Sequence, residues 1–157
     1  MVMQEKANNK KNKNRIVVNT PFLCTTPVQI RYTDYDMQGH INNSIYFNFF
    51  DTAKMDYFKK VRGNNMHWED VTVVIANMNI DFYSPTRYFE NVAVETQTIR
   101  LGDKSLTLVH RLVNTDDHQV KCVCSTVMVY LDPKTQQPAT IPQYWRQAIR
   151  DYEGRDL

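Results

Sequence analysis

Arg31-Tyr-Thr-Asp34-Tyr-Asp36-Met-Gln38-Gly39-His40-Ile-Asn42-Asn43-Ser-Ile-Tyr46 joins two segments of different periodicity. Upstream, Thr25 to Thr33 alternates Val28, Ile30 and Tyr32 against Gln29 and Arg31, the period of a half-buried strand. Downstream, Tyr46, Phe50, Ala53, Tyr57 and Val61 recur at helical spacing, with Phe49 and Phe58 widening the stripe. This predicts a helix over Ser44 to Val61. Asn42, Asn43 or Ser44 can cap its start, Gly63 lies just past its end, and Asp56 and Lys60 form a supporting pair four residues apart. A plain strand-to-helix turn needs a cap and a glycine. This one also packs two carboxylates, a histidine and several amide side chains between its apolar neighbours, and that excess marks it as the candidate site.

Beyond the helix the pattern changes to period two. Val71–Phe82 is rich in β-branched and apolar residues and is broken by Ser84-Pro85. Asn91–Leu101 ends at Gly102-Asp103, a hairpin signal answered by Ser105–Val113. The polar turn Asn114–His118 leads to Gln119–Leu131, which Asp132-Pro133 stops. Ile141–Tyr152 reads as a short closing helix with Pro142 in its first turn. Short connections imply antiparallel neighbours. A helix of this length, about 27 Å, can lie across the face of such a sheet. The expected class is α+β: an antiparallel sheet of about five strands around one long helix. An open sheet edge and the second aromatic flank of the helix both point to self-association.

Composition narrows the function. A chain of 157 residues fits one domain. Its four glycines, Gly39, Gly63, Gly102 and Gly154, are too far apart for a dinucleotide- or phosphate-cradling loop. Cys24, Cys122 and Cys124 lack the clustering of a metal site and read as reduced buried thiols of a cytoplasmic protein. No apolar run approaches the ~18 residues of a membrane span, and the N-terminal lysines precede no apolar core, so neither a membrane partner nor a secretory signal is expected. Five cations and one carboxylate in residues 1–15 carry a net +4, which leaves −2 for residues 16–157. Residues 1–19 are thus expected to form a basic Asn/Lys-rich tail before a single domain over 20–157. The slightly acidic body gives no support to nucleic-acid binding.

The pattern Arg31-x-x-Asp34-x-Asp36-x-x-Gly39-His40-Ile-Asn42-Asn43-x-x-Tyr46 resembles the signature of hotdog-fold thioesterases of the 4-hydroxybenzoyl-CoA thioesterase type. In particular it is similar to the Gly-His-Asn-Asn branch shared by long-chain acyl-CoA and plant-type acyl-carrier-protein thioesterases. The resemblance covers about residues 24–132 and implies the hotdog fold, with the sheet wrapped around the long helix. It implies hydrolysis of an acyl-CoA or acyl-carrier-protein thioester in fatty acid metabolism, with no cofactor and no metal, by a homodimer or a dimer of dimers.

Carried over position by position, the second carboxylate of the motif, Asp36, is the catalytic group, as nucleophile on the thioester carbonyl or as base toward water. His40 lines the site or holds the turn, and Gln38 matches a polar amide of the plant-type relatives. Gly39 lets the chain turn. Asn42 and Asn43 support the loop and cap the helix, and Asp34 pairs with Arg31 or with backbone donors. Tyr46 opens the helix stripe, with its hydroxyl in reach of an acyl pocket. The oxyanion donor corresponds to a backbone N–H at Thr72 or Val73, a stretch that would lie beside Asp36 of the other subunit. Lys104, Ser105 and Arg87 are the candidates for coenzyme A phosphates, although Gly102 and Asp103 stand where relatives carry basic residues. His67 and Trp68 either anchor their loop or rim an acyl tunnel. A dehydratase is disfavoured because its His and Phe-Pro or Asp-x-Asn-Pro patterns do not occur. A non-catalytic thioester-binding module on the same fold is the other reading.

Overall fold

The computed structural model of the chain describes residues 18–67, 69 and 71–157. Most of the basic N-terminal segment, and Trp68, lie outside these residues. Five strands, β1 (Cys24–Val28), β2 (Val73–Phe82), β3 (Val92–Leu101), β4 (Ser105–Asn114) and β5 (Val120–Tyr130), form one sheet in the order β1-β3-β4-β5-β2, antiparallel throughout. Helix α1 (Asn43–Arg62) lies across it, and α2 (Gln143–Glu153) closes one end. This is the expected α+β hotdog architecture.

Helix α1 begins where Asn42 stays extended and its Oδ1 accepts the Ser44 N–H at 3.0 Å. It stops at Gly63, which adopts φ +55° and donates its N–H to the Lys59 carbonyl. The predicted Asp56–Lys60 pair forms at 2.8 Å. Of the predicted stripe, Tyr46, Phe49, Phe50, Ala53, Tyr57 and Phe58 are buried, and Val61 near its end is half-buried. Its N-terminal half packs with Val94, Leu112, Cys122 and Cys124, and its C-terminal half with Leu106, Leu108 and Met128. Burying each of these large side chains contributes about 1.5–3 kcal/mol, more than helix propensity supplies to so aromatic a segment. All three cysteines are buried and unpaired.

The first strand is shorter than its alternation predicts: Val28 ends it, not Thr33. Asp34 is the reason. Its buried carboxylate accepts the Arg31 backbone N–H at 2.8 Å and the Arg31 guanidinium at 3.0 Å, so Tyr32–Asp34 curls into a 3-10 turn. A local side-chain bond has competed successfully with the ladder.

Cross-strand register defines two ends. Phe82, Cys122, Leu112 and Val94 align at one, while Val73 with Tyr130 and Ser105 with Val129 align at the other. The Asp36 turn belongs to the first end and α2 to the second. There α2 buries Trp145 and Ile149, and the Glu153 carboxylate accepts both the Tyr57 hydroxyl and the Thr98 N–H at 2.7 Å. The latter bond satisfies backbone at the register irregularity of β3. On the far edge, β2 leaves Val74 46% and Ile75 43% exposed.

Candidate active site

Backbone geometry shapes the site before any side chain enters it. Between Asp36 and His40 the chain reverses: Asp36 N–H donates to the His40 carbonyl at 2.8 Å, and Gly39 N–H to the Asp36 carbonyl at 3.1 Å. Gly39 holds φ +74°, and a Cβ there would touch nothing, so the glycine answers a demand of the backbone and not of space. The Asp36 carboxylate takes part in its own turn. Oδ1 accepts the Gln38 N–H at 2.8 Å and the His40 N–H at 3.2 Å, which fixes the carboxylate plane. Among the described residues the second oxygen makes no such bond.

This turn is pinned on both sides. Asn42 N–H donates to the Asp34 carbonyl at 2.8 Å, and Ile41 N–H to the Thr86 carbonyl at 2.9 Å, while His40 pairs as a β-bridge with Arg87. Thr86 is fully buried and its Oγ1 accepts the Tyr46 hydroxyl at 3.0 Å. Burial pushes the Tyr46 phenol up, against the lowering effect of that bond, so Tyr46 stays a neutral donor. The Tyr46 ring meets Phe82 edge-on at 5.1 Å.

These elements enclose a cleft of about 380 Å³. Asp36, Gln38, His40, Asn43 and Ser84 give it a polar side; Ile41, Tyr46, Phe82 and Pro85 give it an apolar floor. Helix α1 starts at the same place. Ser44 and Ile45 N–H are taken by Asn42, while helix geometry provides no intrahelical acceptor for Asn43 N–H. A carboxylate, an imidazole and a helix N-terminus thus border one apolar-floored cleft. That set can polarise a carbonyl, activate water and stabilise a developing anion.

The predicted residues divide between the two ends of the sheet. Asp36, Gln38, His40, Asn43 and Tyr46 line the cleft, with Gly39 within its turn. Asn42 alone caps α1, so Asn43 is a cleft residue and not a cap. Asp34 pairs with Arg31 as anticipated. Arg87 stands beside His40 through their bridge. Thr72, Val73, Lys104 and Ser105 do not meet Asp36 within one protomer: they sit at the opposite end, the length of β2 away, about 30 Å at ~3.3 Å per residue. Val73 there lines a small, partly open apolar cavity of about 20 Å³ beside Trp145, room for a single water and without acid–base groups other than the Tyr130 phenol. Sequence reading missed Ser84, Pro85 and Thr86 as parts of the site. Ser84-Pro85 carried only the signal of a strand break. Among the described residues no group of three His, Cys, Asp or Glu side chains is arranged to hold a metal ion, and no helix is long and apolar enough to cross a membrane.

Residues 30–149 match the model of the thioesterase-like superfamily. Over 89 residues the chain is 32% identical to the uncharacterized protein YsmA of Bacillus subtilis, a match spanning 57% of this chain and 60% of YsmA. It is 23% identical over 119 residues to the acyl-CoA thioester hydrolase YbgC of Escherichia coli O6:H1, covering 74% of this chain and 88% of that protein. Among solved structures, a thioesterase from Thermus thermophilus complexed with coenzyme A and zinc superposes with a TM-score of 0.77 at 29% identity, over 87% of this chain and 98% of that one.

Proposed function

The chain belongs to the thioesterase-like superfamily, and from that membership we propose that it hydrolyses acyl-CoA thioesters to a free acid and coenzyme A. The observation that carries this reading is the Asp36–His40 turn, which presents a carboxylate, with one oxygen immobilised by two N–H donors, at the mouth of the cleft. The similarity to YbgC and to a thioesterase that binds coenzyme A supports the substrate class. Asp36 either takes a proton from the water that attacks the thioester carbonyl, or attacks that carbonyl itself to form a mixed anhydride, which water then cleaves to the free acid and the regenerated carboxylate. The acyl–sulfur bond breaks, and the thiolate leaves and is protonated. His40 lines the route of that proton, Gln38 orients water or the carbonyl, and Arg87 meets a phosphate of the substrate.

The second half of the site comes from a second copy. Two exposed β2 edges pairing antiparallel about a two-fold axis would bring Val73 of one chain near Phe82 of the other. The Thr72–Val73 backbone would then lie beside the other chain's cleft as the oxyanion donor, and Lys104 and Ser105 would approach its substrate. Asp36→Asn, which keeps the shape of the turn, is expected to lower kcat by about 10²–10⁴-fold with the fold intact. A thiol-release assay over acyl-CoA chain lengths and carrier-protein thioesters reads this. Parental rates in the variant would remove Asp36 from the mechanism, and tight binding without thiol release from any substrate would make the protein a binding module.

A further inference from the structure

We propose that Lys121 is a positioning residue for the Asp36 cleft, its buried ammonium clamping the 84–90 loop so that the loop in turn orients His40 and Arg87. The inference rests on the hydrolase reading for its kinetic consequence but not for its structural one. Lys121 is 2% exposed, near the start of β5 and one strand in from the β2 edge. It is the extra residue of an irregularity in the β4–β5 ladder, where Val120 pairs with Val113 and Cys122 with Leu112, so it stands between two regular pairs at this end of the sheet. A lysine has three N–H donors, and here three acceptors meet them: Glu90 Oε1 at 2.7 Å, Gln119 Oε1 at 2.8 Å and the Pro85 carbonyl at 3.4 Å. The backbone of the same residue adds two bonds, its carbonyl accepting Tyr83 N–H at 2.8 Å and Ser84 N–H at 3.1 Å.

From this anchor the connection to Asp36 is short. The second oxygen of Glu90 accepts Arg87 N–H at 3.0 Å, and Glu90 N–H returns to the Arg87 carbonyl at 3.2 Å. Arg87 bridges His40, and Thr86 receives Ile41 N–H. His40 in turn closes the Asp36 turn through its carbonyl. The loop has no ladder of its own between Pro85 and Glu90. Beside the backbone bonds of Tyr83, Ser84 and Thr86, its Pro85 and Glu90 ends are held together by a side chain that contributes nothing to the cleft lining itself. A buried lysine needs every donor satisfied, and its satisfaction here is spent on fixing one loop.

The test uses the full chain with Lys121→Met and with Lys121→Met combined with Glu90→Gln, which removes both charges together. In the folded double variant, kcat for an acyl-CoA turned over by the parent should fall about 10-fold or more because the reacting groups are displaced while the cleft remains, and KM should rise as Arg87 shifts from the substrate phosphate. Amide exchange at Ile41 and Asp36 should accelerate about 10-fold or more while exchange along β3 and β4 stays at parental rates. If the lysine variants do not fold, Glu90→Gln alone carries the same measurements, since it keeps the ammonium and its two neutral acceptors. Unchanged exchange at Ile41 and Asp36, or kcat within twofold of the parent, in a folded variant overturns the clamp. Absence of turnover by the parent would sink the hydrolase reading and leave the exchange result to judge the clamp.

Discussion

Lowering the pH from 7 to 5 should cost this fold about 2 kcal/mol through one side chain, His110. The imidazole sits on β4 under helix α1, 1% exposed, stacked on Phe50 with ring centroids 5.5 Å apart, and its Nδ1 meets Thr96 Oγ1 at 3.0 Å. Desolvation, and next the positive charge of Lys54 against the smaller opposing pull of Asp51, lower its pKa from 6.5 to about 3. The unfolded chain therefore takes up a proton as the pH drops through 6.5, whereas the native state takes none until about 3. Stability is complete above 6.5, falls as the pH decreases, and reaches its full loss only near the native value. Between pH 7 and 5 the unfolded imidazole alone titrates, which gives about 2 kcal/mol at 1.36 kcal/mol per unit. Urea unfolding at pH 7, 6 and 5, at one protein concentration, measures it in the parent and in His110→Gln. Glutamine still offers Thr96 a polar partner and does not titrate. The parent should lose about 2 kcal/mol more than the variant over this interval at unchanged m-value. Parallel pH curves for the two proteins would refute the assignment.

Glu153→Ala leaves the Tyr57 hydroxyl and the Thr98 N–H without their carboxylate, and should cost about 2–4 kcal/mol in denaturant unfolding. Gly39→Ala should cost only about 1 kcal/mol, since its Cβ has room and only the positive φ opposes it; thiol release should nevertheless fall about 10-fold as the Asp36 turn shifts. If the site is shared between subunits, mixing Asp36→Asn chains with Lys104→Ala chains assembles some pairs in which one site has both an intact Asp36 and an intact Lys104. Activity of the mixture above that of either variant alone is expected, and strict additivity would argue for sites complete within one chain.

The local grammar of the chain was readable because its causes are local. The α1 stripe, the Gly63 stop, the Gly102-Asp103 hairpin and the Asp56–Lys60 pair all involve residues within a turn or two of one another. The Asp36–His40 turn was equally legible, since its bonds close within five residues and its glycine is needed for the backbone itself. Alternation alone extends the first strand to Thr33, because it carries no sign of the Asp34 carboxylate that draws the Arg31 backbone out of the sheet. Asn42, Asn43 and Ser44 are equal candidates for the cap along the chain; the extended backbone of Asn42 decides between them.

The class of fold and the turn that bears the candidate carboxylate are written along the chain, because periodicity and turn chemistry are properties of neighbours. What surrounds that carboxylate depends on contacts between distant segments. Thr86 lies 40 residues from the Tyr46 hydroxyl it accepts and Lys121 lies 31 residues from Glu90, and no pattern in the chain announces either meeting. The same three-dimensional register sends Thr72, Val73, Lys104 and Ser105 to the far end of the sheet. A strand that carries its two ends about 30 Å apart gives one protomer no means of folding them back onto Asp36.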